Sequence, residues 1–226
     1  MSEKFEGTVH ICVGRESGSG GRRLAMHVGE ALGIPCYDKE LVAMAAEKSG
    51  LCEEILKSHD EKSSKNFLYS LMLDSFSVGY HSTPMDMPMQ QKAFLAQYDT
   101  IKDIASKGSC IFVGRCADYA LEADPDMISI FVSGDYPDKI EHLMSGYGFD
   151  EKEAKDYMEK TDKRRSNYYN YYSNKKWGDA RSYDLCINRS KLGLDGSVKA
   201  IVEYVLQRKR FEAEQRAKEA ESNAEA

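Results

Sequence analysis

The chain has 226 residues, of which 42% are hydrophobic and 30% charged, and its formal net charge is −6. This composition is typical of a globular protein with one sizeable core, and it excludes a fibrous or disordered chain. The negative net charge argues against general affinity for nucleic acids, because that binding depends on Lys and Arg side chains that neutralise phosphates. Any site for an anion must therefore be local.

The six cysteines include no CxxC pair, and several lie in apolar runs, which favours free thiols in a reducing environment. The N-terminal residues MSEKFEG lack the apolar core of a secretory signal, and no run of about 18 apolar residues could span a membrane. We therefore expect a cytoplasmic protein that does not associate with membranes.

The first predicted element is a strand that leads into a glycine-rich loop. The run Thr8–Val13 is apolar and β-branched, the loop SGSGG follows with Gly18, Gly20 and Gly21, and a helical pattern runs over Leu24–Leu32. Glycines allow backbone N–H groups to converge on an anion, and the helix N-terminus adds a partial positive charge. The segment thus predicts a phosphate site, although a flexible turn between strand and helix is the simpler alternative.

This loop departs from the usual P-loop pattern, GxxxxGK[ST], in which a Lys reaches the outer phosphates and a hydroxyl residue binds the metal. Aligned on SGSG, the chain has Gly21, Arg22 and Arg23 at those positions, and Arg15 stands where the first Gly is expected. A working loop would therefore need arginine to supply the missing charge.

Four further strands and three further helices are predicted along the chain. Near-continuous apolar runs such as ISIFV suit strands that are buried on both faces of a parallel sheet. The alternation of strands and helices predicts a doubly wound α/β domain, with ligands at the carboxyl ends of the strands. The further strands are Pro35–Tyr37, Ser109–Val113, Met127–Val132 and Tyr183–Asn188, and the further helices are Lys39–Lys48, Lys92–Lys107 and Ser197–Leu206.

Two segments interrupt this alternation, and a charged tail follows it. Cys52–Gln91 is rich in Met and aromatic residues and predicts either a packing subdomain or a flap over a pocket. Asp135–Lys176 is densely charged and carries an aromatic stretch. Gln207–Ala226 has strong helix formers without an apolar stripe, which predicts a frayed, solvated helix.

Charged residues follow several of the predicted strands. Asp38 follows the second strand, Arg115 and Asp118 follow the third, and Arg164 and Arg165 lie beyond the fourth. At the carboxyl edge of the sheet, Arg115 could bind a second phosphate-bearing ligand or could pair structurally with Asp118 or Asp38. Asp38 could cap the next helix, bind a ligand, or do both.

Four motifs in matching order, RESGSGGRRLA, GIPCYDKELV, SCIFVGRCADYAL and WGDARSYDLCINRSKLG, resemble the cytidylate kinase-like family between about Thr8 and Tyr204. The resemblance implies a P-loop nucleoside-monophosphate-kinase fold. Its five-stranded parallel sheet has the order 2-3-1-4-5 and is flanked by helices. We expect a single domain over residues 1–206, with a helical substrate-binding insertion at about 52–91, an arginine-bearing lid at about 135–176, and the tail at 207–226.

The resemblance also implies the roles of residues. The loop residues Gly18, Ser19, Gly20, Gly21, Arg22 and Arg23 would bind the nucleotide; Arg22, Arg23, Arg164 and Arg165 would be catalytic; and Asp38, Arg115 and Asp118 would bind the acceptor. No side chain is assigned as a direct metal ligand, because no Ser or Thr follows the loop. Mg²⁺ would then be held through water and by ATP, with help from Asp38 or Asp118.

The activity implied is ATP-dependent phosphorylation of a nucleoside monophosphate, with CMP as the first candidate acceptor. The partners are small-molecule nucleotides, with no nucleic acid and no membrane, and formation of a homodimer is left open. Two alternatives remain: a nucleotide-binding or sensor protein with little activity, and a kinase of another small acceptor. An acceptor without a phosphate would need no phosphate clamp at Arg115.

Overall fold

The computed structural model describes residues 7–38, 40–50 and 89–224. Most of the predicted segment Cys52–Gln91 lies outside these residues. The strands are β1 (His10–Arg15), β2 (Cys36–Tyr37), β3 (Cys110–Val113), β4 (Met127–Ser133) and β5 (Leu185–Asn188). The α-helices described are α1 (Gly21–Leu32), α2 (Glu40–Lys48), α3 (Met89–Ala105), α4 (Ala117–Ala120), α5 (Tyr136–Tyr147), α6 (Glu151–Ser173) and α7 (Arg189–Ala224).

All five strands pair in parallel, in the order β2-β3-β1-β4-β5. This confirms the predicted fold class and sheet order. Each observed strand begins or ends within two residues of its predicted counterpart. In the central strand, His10 aligns with Cys110 of β3 and Arg15 with Val132 of β4, so the carboxyl end of β1 extends past that of β3.

Alternate residues of the central strands pack on opposite faces of the sheet. Ile11 of β1 lies in the core with Leu24 of α1 and Ile201 of α7. Cys12 and Phe112 lie on the other face, in the core that includes Leu41 of α2 and Ile101 of α3. Because helices cover both faces, the strands are apolar on both sides, and this is why the sequence shows apolar runs rather than alternation.

The helices α5 and α6 form a pair beside the sheet, within the segment predicted as a lid. They share a small apolar cluster that includes Ile140, Leu143 and Met158. Asp150 and Glu153 form a capping box that begins α6. The pair therefore has packing and end signals of its own, although its role as a lid stays a prediction.

The predicted ends of two helices need adjustment. The helix α1 begins at Gly21 rather than at Leu24, because the turn at Gly20 leads directly into it. The helix α7 is much longer than the predicted segment Ser197–Leu206, is interrupted by non-helical backbone at Gly193, and continues through the charged tail. In the described parts of the chain, no helix combines the length and apolar character needed to cross a bilayer.

Candidate active site

A cavity of about 730 Å³ opens where the carboxyl ends of β1 and β3 meet α5 and α6. It brings together nearly all of the site residues predicted from the sequence. Those that line it are Gly18, Gly20, Gly21, Arg22, Arg23, Asp38, Arg115, Asp118, Arg164 and Arg165. Ser19 is buried within the loop itself, with 1% of its surface exposed.

The glycine loop needs its glycines for conformation and for space. Gly18 and Gly20 have φ angles of +77° and +72°, which L side chains rarely adopt. A Cβ atom on Gly18 would also lie 2.5 Å from the carbonyl oxygen of Lys139. Inside the loop, the Ser19 hydroxyl donates to the Glu16 carbonyl over 2.8 Å and accepts from the Gly21 N–H over 3.3 Å.

The start of α1 faces this cavity with backbone donors that make no hydrogen bond within the helix. The Leu24 N–H donates to the Gly20 carbonyl over 3.0 Å, closing the first helical turn. The N–H groups of Arg22 and Arg23 precede that turn and have no acceptor within the helix. Together with the helix dipole, these groups make the start of α1 suited to an anion.

Asp38 holds two of the arginines at the wall of the cavity. Its carboxylate lies 2.6 Å from Nε of Arg22 and 3.7 Å from a terminal guanidinium nitrogen of Arg15. Asp38 is 8% exposed, whereas the Arg22 side chain is half exposed. The helix α2 begins at Glu40, and the side chain of Glu40 accepts from the Asp38 N–H over 3.1 Å. The side-chain contacts of Asp38 are thus directed to the cations of the loop.

The turn after β3 has an uncommon backbone. Gly114, Arg115 and Cys116 are consecutive residues with positive φ, at 75°, 64° and 52°. Such angles are costly for residues other than glycine, and they cluster at functional sites. A Cβ on Gly114 would also collide with the guanidinium of Arg15. The turn therefore brings the backbone of β3 tightly against the start of the glycine loop.

Asp118 is a buried carboxylate in the wall of this cavity. It is 5% exposed and accepts a hydrogen bond of 2.6 Å from the Tyr169 hydroxyl on α6. Burial raises the pKa of Asp118, and this effect outweighs the hydrogen bond from Tyr169, which lowers it. Burial and the carboxylate of Asp118 raise the pKa of Tyr169 in turn. The contact joins the wall that carries Asp118 to α6.

One face of α6 docks on the glycine loop through backbone groups. The Ser17 N–H donates to the Asp162 carboxylate over 2.7 Å, and the Arg165 guanidinium donates to the Arg15 carbonyl over 3.1 Å. Asp162, Arg165 and Tyr169 follow the i, i+3, i+7 spacing of one helix face. Burial raises the pKa of Asp162. The helix thus has three points of contact with the two walls of the cavity.

Two further side-chain contacts of the loop were not predicted from the sequence. Lys139 lies 2.9 Å from the Glu16 carboxylate, a pair separated by so much sequence that no local pattern indicates it. The Arg189 guanidinium donates to the Ser19 carbonyl. Arg189 follows β5 directly, as Arg115 closely follows β3, so the same signal could have assigned its side chain.

Among the described residues, no three His, Cys, Asp or Glu side chains gather in a way that could hold a metal ion. The acidic side chains expected to assist a metal already have partners, since Asp38 contacts Arg22 and Asp118 contacts Tyr169. These donors do not fit a metal site made by protein side chains alone.

Residues 10–191 match the cytidylate kinase-like family. The chain belongs to this family. The crystal structure of an uncharacterized protein from Eubacterium ventriosum is 33% identical, with a TM-score of 0.64 over 87% of this chain and 98% of that one. TT1252 from Thermus thermophilus is 12% identical, with a TM-score of 0.52 over 90% and 98% of the two chains, a likeness of fold alone. A shikimate kinase from Bacteroides thetaiotaomicron is 12% identical, with a TM-score of 0.49 over 88% and 99%. No curated protein sequence matches. Membership of the family supports phosphoryl transfer to a nucleotide or another small molecule.

Proposed function

We propose that this protein transfers the γ-phosphoryl group of ATP to a nucleoside monophosphate, with CMP as the first acceptor to test. The observation that carries the proposal is the convergence of arginines from β1, α1, the turn after β3, and α6 on one cavity, in a chain whose net charge is −6. These arginines are Arg15, Arg22, Arg23, Arg115, Arg164 and Arg165. A cavity with this charge suits two phosphate-bearing ligands better than one.

The glycine loop fits the phosphate chain of ATP. The positive φ angles of Gly18 and Gly20, and the N–H groups that have no acceptor within α1, are the features that such a chain requires. The loop residues from Gly18 to Arg23 would hold these phosphates. Mg²⁺ would arrive coordinated by ATP and water, because the acidic side chains nearby are already paired.

Arginines can perform the protein's part in this reaction. Phosphoryl transfer depends mainly on alignment and on neutralising charge on the transferred group. A guanidinium offers bidentate donors to phosphate oxygens and keeps its charge in a closed site. On this proposal Arg22, Arg23, Arg164 and Arg165 stabilise the transferred group, and Arg115 binds the phosphate of the acceptor beside Asp38 and Asp118.

A release assay for ADP, run over CMP, UMP, AMP and GMP and over nucleosides without a phosphate, tests the proposal. We expect turnover with at least one monophosphate and little with the nucleosides. Turnover with nucleosides alone would contradict the assignment of Arg115 to an acceptor phosphate.

A second candidate function is nucleotide binding with little turnover. The contact between Arg22 and Asp38 favours it, because the cation that could replace the P-loop Lys is already neutralised. Calorimetric titration with ATP and ADP, run beside the release assay, separates the two functions. Binding without turnover across the acceptor set supports the second candidate.

A further inference from the structure

Arg189 and His142 make a contact at the loop end of the cavity that the proposed function does not use. The Nε atom of Arg189 donates to the Ser19 carbonyl, and a terminal nitrogen of the same guanidinium lies 3.3 Å from Nδ1 of His142. His142 lies on α5 and lines the cavity. One guanidinium therefore joins the glycine loop to an imidazole on α5.

The chemistry of this contact fixes the tautomer of His142. A guanidinium has N–H donors and no acceptor, so Nδ1 of the imidazole must accept and cannot carry a proton. In the neutral ring the proton is then on Nε2. Burial, together with the charges of Arg189 and Arg23, lowers the pKa of His142 and so favours the neutral ring. The second ring nitrogen, Nε2, is thus a donor in this residue that lines the cavity.

The residues near His142 are those of the glycine loop and the start of α1, rather than those proposed to bind the acceptor. Gly20 packs closely against Arg189, since a Cβ there would lie 2.9 Å from the guanidinium Nε. Arg23 is near enough to His142 to affect its pKa, and both residues line the cavity. A phosphate chain bound over the start of α1 would therefore lie beside the imidazole.

We propose that His142 donates a hydrogen bond from Nε2 to the phosphate chain of the nucleotide donor, and that Arg189 is the positioning residue that fixes the imidazole in the donor tautomer. The inference rests on the proposed function only in requiring a nucleotide at the glycine loop. It assigns a ligand contact to α5, a helix to which the sequence analysis assigned no site residue.

The first test is spectroscopic and needs no turnover. Correlation spectra of the ¹⁵N-labelled imidazoles report which ring nitrogen carries the proton. We expect the Nε2–H tautomer for His142 in the free protein and a shift of its Nε2 signal when ADP or tripolyphosphate is added. Substitution Arg189→Met, which removes every donor that faces Nδ1, should release the tautomer preference while the protein stays folded. An Nδ1–H tautomer in the wild-type protein would overturn the inference.

The second test measures affinity for the same two probes by calorimetry. His142→Asn keeps an acceptor where Nδ1 lies and lacks the Nε2 donor. This substitution should weaken the binding of both ADP and tripolyphosphate about tenfold, as expected for the loss of one hydrogen bond to a charged group. His27→Asn is the matched control, because His27 lies on the outer side of α1, pairs with Glu30 and does not line the cavity. It should bind both probes normally.

The failures can be told apart. If the wild-type protein binds neither probe, the proposed nucleotide site fails and this inference fails with it. If the wild type binds both and His142→Asn binds them equally well, the inference alone is wrong. If His142→Asn weakens the binding of ADP but not of tripolyphosphate, the imidazole contacts the nucleoside, and the assignment to the phosphate chain is wrong.

Discussion

The left-handed backbone at Arg115 permits a direct test of whether this site holds strain for function. Its φ angle of 64° costs a residue with a Cβ about 1–2 kcal/mol. Glycine removes that cost but adds about 0.4–1 kcal/mol of backbone entropy to the unfolded chain. The Arg115→Gly protein should therefore be about 1 kcal/mol more stable than Arg115→Ala, which loses the same guanidinium and keeps the strain. For a chain of this length the difference corresponds to about 2–4 °C in Tm.

The two variants should differ in stability but lose function alike. If Arg115 binds the phosphate of the acceptor, both variants should raise the KM for CMP strongly and leave ATP affinity of the free protein nearly unchanged. Arg115→Lys should restore the acceptor KM only in part, because an ammonium keeps the charge but loses the bidentate fork. The assays are thermal melting, ATP titration and acceptor kinetics on the same preparations.

Asn174 provides a matched control for the strain. It is exposed, caps the end of α6 with a φ of 54°, and does not line the cavity. Asn174→Gly and Asn174→Ala should show the same order of stability, with normal kinetics. Equal melting temperatures for the Gly and Ala variants at Arg115 would refute the strain argument. A loss of affinity for both nucleotides, together with a lower Tm, would instead make Arg115 a structural residue.

Three further perturbations test other parts of the site. Gly20→Val should abolish ATP binding and Gly18→Ala should weaken it, both in calorimetry; Gly33→Ala, at a positive φ with open space around it, should leave binding normal. Replacing Arg22 and Arg23 together by Ala should cost at least about 2 kcal/mol in kcat/KM, and normal turnover would move the assignment to the arginines of α6. The pKa of Asp118 is raised in the folded protein, so the folded state binds more protons than the unfolded state above pH 3.8, and stability falls as pH rises through that window. Asp118→Asn should flatten this fall in Tm as the pH rises above 3.8, and an unchanged profile would contradict the raised pKa.

The strands could be predicted from the sequence because burial on both faces requires a contiguous apolar run, which is visible within a few residues. The runs around Ile11 and Phe112 are apolar without alternation, and this pattern favours strands that are buried on both faces of a parallel sheet. The glycine loop could be predicted in the same way, since Gly18 and Gly20 are required by the backbone conformation of a short segment. The order of the strands is not local, and it was predicted only through the family resemblance.

The contacts of the site could not be predicted in the same way. The bond between the Ser17 N–H and Asp162 joins residues far apart in sequence, and one partner is a backbone group that carries no residue-specific signal. The pairing of Asp38 with Arg22 depends on how α1 and β2 meet. Spacing showed that charges gather at the carboxyl ends of the strands, but it did not show which charges neutralise one another.

Several features that reduce stability meet at this one cavity. Arg115 and Cys116 hold left-handed backbone, Asp118 is buried with a raised pKa, and the hydroxyl of Tyr168, which also lines the cavity, is buried without a hydrogen-bond partner in the described part of the chain. Selection for stability alone would remove such features one at a time, because each has a simple stabilising replacement. Their concentration in the walls around the glycine loop is expected of a functional site, because strained backbone and shifted pKa values cluster where ligands bind. On the proposed function the walls have different tasks: the strained turn carries Arg115, while the buried hydrogen bond from Tyr169 to Asp118 holds α6 against the wall that carries Asp118. Loosening that contact with Tyr169→Phe should therefore impair catalysis through the position of α6, even though Tyr169 itself is assigned no bond to either substrate.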